Sequence, residues 1–178
     1  MKTYLLAWRT KRSQWDHLPE TAENVKLGKN KSIRWSCGRS KKLKKGDRVF
    51  LIKLGEKPKG IFASGYIVRD SYEDTHWDYE KAQNGETSFF VKVHLDTLLV
   101  PGTDQILARE LLNNQPFSDM HWDTQMSGIS IPNHVASELE ILRTSFTKST
   151  SFFLSRRSGA NTRKNIRGSS SSRYSKCL

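Results

Sequence analysis

A small α+β barrel of five or six strands, with short helices between and after them, is the architecture this 178-residue sequence predicts. Three observations point to it. Residues Ser88 to Leu98 alternate cleanly, with Phe89, Val91, Val93 and Leu95 set against Phe90, Lys92, His94 and Asp96, which is the period of a strand. Residues Arg48 to Leu54 follow the turn Lys44-Lys45-Gly46-Asp47, alternate and then run apolar, as a barrel strand does. The helix signals are short: Pro19 near a first turn and Gly28 just past an end bracket a helix over roughly residues 20–27. The length suits one domain with one sizeable core.

The remaining elements fall into place around these. Residues 4–8 read as a buried first strand, and 29–34 as a basic loop. Gly55-Glu56-Lys57-Pro58-Lys59-Gly60 is a connection rich in turn formers, leading into a strand over 61–68. The small residues Ala63, Ser64 and Gly65 in that strand leave room for another backbone or a ligand to approach. An acidic loop containing Trp77 follows. Residues 106–112 predict a short helix, and Ser127 to Ile131 a short strand ended by Pro132. Asn133 is placed to cap a final helix with Val135, Leu139 and Leu142 on one face. The folded domain is expected over 1–142. Residues 143–178 hold ten serines, nine basic residues and no carboxylate. Such a composition cannot offset its ordering entropy, so this tail is expected to be disordered.

Charge is unevenly distributed. Residues 1–59 carry 17 Lys and Arg against 5 Asp and Glu, whereas residues 60–142 carry 4 against 13. The overall +12 therefore describes a basic face more than a generally basic protein. Its densest part within the domain is Arg39, Lys41, Lys42, Lys44, Lys45 and Arg48, a pattern suited to salt-sensitive attraction for phosphates. Several function classes lose support. No apolar run approaches the roughly 20 residues of a membrane span, and the start is too short for a secretory segment, so a cytoplasmic location is expected. Cys37 and Cys177 form no metal-ligand pair with each other or with the five scattered histidines, so neither metal nor cofactor is expected. No carboxylate pair or nucleophile–base constellation stands out, Asp47 reads as a turn residue and Cys37 as a small packing residue. Binding is the expectation, not catalysis.

Chemistry concentrates at Trp35-Ser36-Cys37-Gly38, immediately before the lysine run. A large aromatic beside small residues makes a shallow pocket for a flat ligand, here next to a surface for phosphates. Of the five tryptophans, Trp35 ranks first as a pocket wall, then Trp15, then Trp8. Trp77 and Trp122 are each read as a pocket lip or as a plug at an end of the barrel.

Four segments in this order and spacing, Trp35-Ser36-Cys37-Gly38, Gly46-Asp47-Arg48-Val49-Phe50, Gly60-Ile61-Phe62-Ala63-Ser64-Gly65 and Ser127-Gly128-Ile129-Ser130-Ile131-Pro132, resemble those of an EVE-type domain. EVE domains are PUA-like and related to YTH domains, and the resemblance covers about residues 3–142. It is nearest to the EVE-like module that bacteria fuse to HNH endonucleases of modification-dependent restriction. The resemblance implies a reader of a modified base flipped into an aromatic pocket, most simply methylated or hydroxymethylated cytosine in DNA. The alternative within the same fold is an RNA-binding protein that reads tRNA, rRNA or methylated RNA. It further implies a base pocket of Trp8, Arg9, Thr10, Trp15, Trp35, Ser36, Cys37, Gly38, Ser127, Gly128 and Ile129, with Arg39, Lys41, Lys42, Lys44 and Lys45 on flanking phosphates. Residues 143–178 contain no histidine and one cysteine, so they hold no HNH motif. The tail reads as a natural short form or as the remnant of an interrupted gene, and a nuclease would be a separate partner.

Overall fold

The computed structural model describes residues 1–11, 14–29 and 32–144. They form strands β1 (Thr3–Arg9), β2 (Ser32–Gly38), β3 (Arg48–Leu54), β4 (Gly60–Thr75), β5 (Thr87–Leu98), β6 (Leu107–Ala108) and β7 (Ile129–Ile131). Helices α1 (Leu18–Lys26) and α2 (Tyr79–Gln83) lie between strands, and a last helix, α3, occupies 133–144. The chain divides into a unit Met1–Glu140 and a second unit that begins at Ile141. The tail expected over 143–178 falls outside the described residues from 145 onward.

One mixed sheet contains all seven described strands, in the order β2-β5-β4-β3-β1-β7, with β6 beside β4. Strand β1 pairs parallel with β3, Leu5 opposite Phe50, and antiparallel with β7, Leu5 opposite Ile129. Every residue of β3 is buried, so this strand is covered on both faces and its sequence runs apolar for that reason. Tyr4, Leu6 and Trp8 alternate onto one face, where they join Val49, Leu51, Phe62, Val91, Val93 and Leu95 in the main core cluster. Helix α1 adds Leu18 and Ala22 to that cluster, starts with Pro19 in its first turn and ends before Gly28, as its punctuation predicts. No described helix is long and apolar enough to cross a membrane.

Several elements differ from the sequence expectation. Residues 32–34 belong to β2, not to a basic loop: Ile33 pairs with Val93 and Trp35 with Val91. The alternation is present, but its outward positions are Ser32 and Arg34, whose polarity reads as loop. The acidic loop is strand as far as Thr75. Beyond Arg69, β4 continues as a two-stranded ribbon with β5, Tyr72 opposite Phe90 and Thr75 opposite Thr87. A ribbon with solvent on its outer face needs no apolar stripe, so periodicity cannot reveal it. Residues 106–112 are not one helix: Leu107 and Ala108 pair with Ile61 and Gly60, and a 3-10 turn follows over Arg109–Asn113. Asn133 lies inside the first turn of α3, because the Ala136 N–H donates to the Pro132 carbonyl at 2.9 Å. The room left by Ala63-Ser64-Gly65 is taken by backbone. A Cβ on Gly65 would lie 2.2 Å from the His94 carbonyl oxygen of β5, so this strand offers its space to its neighbour and none to a ligand.

The far side of the sheet is held by a buried charge cluster. Arg48 is 1% exposed, and its Nη1 donates to Asp96 Oδ2 at 2.6 Å and to the Gly65 carbonyl at 2.9 Å. Its Nε donates to Glu140, and its guanidinium stands 4.5 Å from the Tyr66 ring centre. Burial disfavours the charge, yet Glu140 and Asp96 outweigh it and hold the arginine above its ordinary pKa. Arg48, read from sequence as part of the basic surface, is a core residue.

Candidate functional site

A cavity of about 810 Å³ opens where the end of β1, β2, the outer part of the β4–β5 ribbon and residues 125–127 meet. That volume lies within the range of ligand pockets, roughly 300–1,000 Å³. Its inner wall is aromatic. Trp15 sits 5.4 Å from Trp35 and 6.1 Å from Trp8, centre to centre, and Trp8 is 5.3 Å from Phe62. Such tilted and edge contacts hold the rings rigid against one another. Trp8 is buried, whereas Trp15 and Trp35 are half-buried and present surface to the cavity. The residues Trp8, Arg9, Trp15, Trp35, Ser36, Gly38 and Ser127, expected in a pocket from sequence, line this cavity together, joined by Arg39.

Ser127 is the clasp that builds it. Its Oγ accepts the Ala7 N–H of β1 at 3.2 Å and donates to the Ser36 carbonyl of β2 at 2.8 Å. One hydroxyl thus joins two strands that do not pair with each other, closing the sheet beside the tryptophans. Gly128 lets this happen. It has φ +80°, and a Cβ there would lie 2.6 Å from the Cys37 carbonyl oxygen. Cys37, Gly128 and Ile129, expected in the pocket, are not among the residues that line this cavity: Gly128 packs on the Cys37 backbone behind its wall, and Ile129 pairs with Leu5 in the sheet. Cys37 is fully buried, its thiol donates to the Ser40 carbonyl at 3.4 Å, and burial pushes its pKa up to about 11. A thiol held so firmly protonated is a packing group.

Thr10 lines a second hollow of about 420 Å³ that shares Trp8, Gln14 and Trp15 with the first. Its Oγ1, like Arg9 Nε, is buried without a hydrogen-bond partner among the described residues, while Arg9 Nη2 donates to the Thr124 carbonyl at 3.0 Å. On the floor of the main cavity, Ser36 Oγ and Ser88 Oγ lie 3.4 Å apart, and the Gly38 N–H donates to Ser36 Oγ at 3.3 Å. Both distances exceed the usual range for their kind, so a ligand can displace these contacts at little expense.

The basic cluster separates into two groups. Arg39 lines the cavity, and Lys41 Nζ stands 4.8 Å from the centre of Phe89, another lining residue. Lys44 instead pairs with Asp70 at 3.1 Å, and the Lys45 N–H donates to the same carboxylate at 2.6 Å. Those two hydrogen bonds, the backbone one first, hold Asp70 below the usual carboxylate range. Lys42 is exposed, and its carbonyl accepts the Tyr4 hydroxyl at 3.3 Å. Asp47 accepts the backbone N–H groups of Lys2 (2.9 Å) and Lys44 (3.0 Å), the work of a turn residue.

Sequence reasoning missed the ribbon's share of the site. Arg34 lies 3.5 Å above the Phe90 ring and pairs with Asp74 at 3.1 Å. Phe89, Phe90, Ser88, His76 and Trp77 line the outer cavity. Trp77 is 40% exposed and forms a lip, whereas Trp122 is 1% exposed, donates its indole N–H to the Phe117 carbonyl at 2.8 Å and plugs the interior. Among the described residues no group of three or more His, Cys, Asp or Glu is placed to hold a metal ion.

Comparison with solved structures returns the same architecture. A protein of Leishmania major superposes with a TM-score of 0.55 at 16% identity, over 84% of this chain and 97% of that one. A Pseudomonas syringae protein gives 0.54 at 15% identity, over 79% and 99%. Human THYN1, solved in complex with 5-methylcytosine-containing DNA, gives 0.54 at 12% identity, over 80% and 97%. No curated protein matches by sequence. At these identities the structures speak for the fold, a PUA-like α+β barrel. The family model of the EVE domain matches residues 4–143, nearly the whole described chain, and this protein belongs to the EVE family.

Proposed function

We propose that the protein is a non-catalytic nucleic-acid-binding module that takes a modified base, methylated or hydroxymethylated cytosine in DNA, out of the stack and into the tryptophan-walled cavity. The observation that carries this reading is the rigid Trp35–Trp15–Trp8 array set beside a polar floor of Ser36, Ser88 and Ser127, with Arg39 and Lys41 at its rim. Family membership supports it, and so does the likeness in fold to a protein solved with 5-methylcytosine DNA.

The energetics fit. Extracting a base costs a few kcal/mol, and stacking on an aromatic side chain returns about 1–3 kcal/mol. Burying a methyl group adds only about 0.8 kcal/mol, so discrimination also needs hydrogen bonds to the edge of the base. The loosely engaged hydroxyls of Ser36 and Ser88 and the backbone beside Gly38 supply both donors and acceptors for this. Arg39 and Lys41 hold flanking phosphates and position the strand without reading it. In this reading the chain is the targeting part of a modification-dependent restriction system, with the nuclease on a separate chain.

The test is a panel of oligonucleotides bearing modified cytosines and adenines, as DNA and as RNA of one sequence, titrated at two salt concentrations. The expected result is tighter binding of one modified-cytosine DNA with a salt-dependent affinity for all. Equal affinity for modified and plain DNA overturns the reading, and preference for RNA of the same sequence moves the target to RNA.

A further inference from the structure

The cavity is larger than one base requires, and its two ends are built differently. At the inner end stand Trp35, Trp15 and Ser36. At the outer end, beyond the last residue of β2, the wall includes the ribbon, which carries His76 and Trp77. Register gives their separation. Ser36 is opposite Phe90, while the His76 N–H donates to the Glu86 carbonyl at 3.1 Å. From Phe90 to Glu86, at about 3.3 Å per residue, the ribbon extends about 13 Å. That is two to three times the roughly 4.5–7 Å between stacked ring centres. The His76 end of the ribbon therefore lies further along the cavity wall than the strand position of Ser36.

The outer pair is nonetheless arranged as a site for a flat group. Trp77 keeps 40% of its surface exposed, and His76 and Trp77 lie 5.2 Å apart at 32°, so one ring braces the other. The Asp78 N–H donates to His76 Nδ1 at 3.0 Å. That bond requires Nδ1 to carry no proton and fixes the neutral tautomer with its hydrogen on Nε2. Among the described residues Nε2 has no hydrogen-bond acceptor. The charged neighbours on the same wall, Lys81 and Glu86, pair with each other at 3.8 Å. What remains for a ligand is a stacking face and a single N–H donor.

We propose that His76 and Trp77 form a second subsite that holds a purine flanking the modified base, stacked on Trp77 with its N7 accepting from His76 Nε2. A purine offers N7 as an acceptor in both its forms, and its larger ring covers more of the indole. This inference rests on the base-reading function of the inner cavity and adds a preference for sequence context to it.

The experiment uses the full chain and a modified-cytosine oligonucleotide with randomised flanking positions, followed by individual sequences, some with 7-deazapurine in place of the selected purine. The expected result is selection of a purine at a flanking position. Trp77→Ala weakens binding of the selected sequence about 5- to 150-fold and erases that preference, while the ratio of affinities for modified and plain cytosine stays as in the parent. Trp77→Phe restores most of the loss. The 7-deaza substitution weakens the parent about 2- to 10-fold and leaves His76→Phe unaffected. No flanking preference in the parent, or a preference unchanged in both variants, overturns the subsite. A parent that fails to tell modified from plain cytosine instead removes the reading on which it rests.

Discussion

Arg48 and Arg34 both place a guanidinium over an aromatic ring, yet the molecule uses them in opposite ways. Arg48 stands 4.5 Å from Tyr66, is 1% exposed and has carboxylates from Asp96 and Glu140 together with the Gly65 carbonyl closed around it. Arg34 stands 3.5 Å from Phe90 in solvent, tied to one carboxylate, Asp74. At the cavity rim Arg39 lines the cavity and Lys41 stands beside the Phe89 ring, and neither has a carboxylate partner within the described ion pairs. A basic residue in this chain is therefore structural where acidic partners enclose it, and open to solvent where they do not. The basic block of the sequence mixes both kinds, and Lys44, paired with Asp70, stands between them, whereas Lys45 meets that carboxylate only through its backbone N–H.

Breaking the enclosed side has the largest expected effect. Arg48→Ala empties a buried site and leaves two partly exposed carboxylates and the Gly65 carbonyl without their shared donor; it is expected to destabilise the fold by about 3 kcal/mol, read as a lowered denaturant midpoint, with base discrimination intact in the fraction that remains folded. Ser127→Ala removes the hydroxyl that joins β1 to β2 and leaves the Ala7 N–H and the Ser36 carbonyl short of a partner. A loss of about 1–3 kcal/mol in stability is expected, and here, unlike at Arg48, affinity for the modified base falls as well. Arg39→Ala and Lys41→Ala leave stability within about 0.5 kcal/mol. Each lowers the slope of log affinity against log salt by about 1 without changing the preference for the modified base. The smallest effect is expected at Cys37. With its pKa pushed up to about 11 by burial, the folded protein at pH 8 leaves this thiol protonated and unalkylated by iodoacetamide, and unfolding releases it, as peptide mass spectrometry reports.

How far the sequence discloses this arrangement depends on where each residue's constraint comes from. Strands β3 and the core half of β5 were legible because a buried face imposes its own period on Arg48 to Leu54 and Ser88 to Leu98. Helix α1 was legible through Pro19 and Gly28, which carry local backbone meaning. The outer ribbon was not, since Asp70, Glu73 and Asp74 carry polar side chains that face water and form no apolar stripe. Trp35, Trp15 and Trp8 were legible as a group by their size and by their nearness to small residues. Gly128 and Cys37 look like pocket residues in a linear motif, but their role is to pack one backbone against another, which shows only in space, where a Cβ on Gly128 would lie 2.6 Å from the Cys37 carbonyl oxygen. Arg48 sits in a run of lysines and arginines with nothing local to mark it as buried, because its partners Asp96 and Glu140 are far along the chain.

The central claim is that the ring of Trp35 holds the modified base while the rim cations hold the strand. It is tested most directly by titrating the parent and Trp35→Ala with methylcytosine-containing and plain DNA of one sequence, at low and at moderate salt. The account predicts that the parent prefers the modified oligonucleotide, that Trp35→Ala weakens its binding by about 1–3 kcal/mol, and that the variant binds both oligonucleotides alike with the salt dependence of the parent. A Trp35→Ala protein that folds normally and still prefers the modified oligonucleotide by the parent's margin would contradict it.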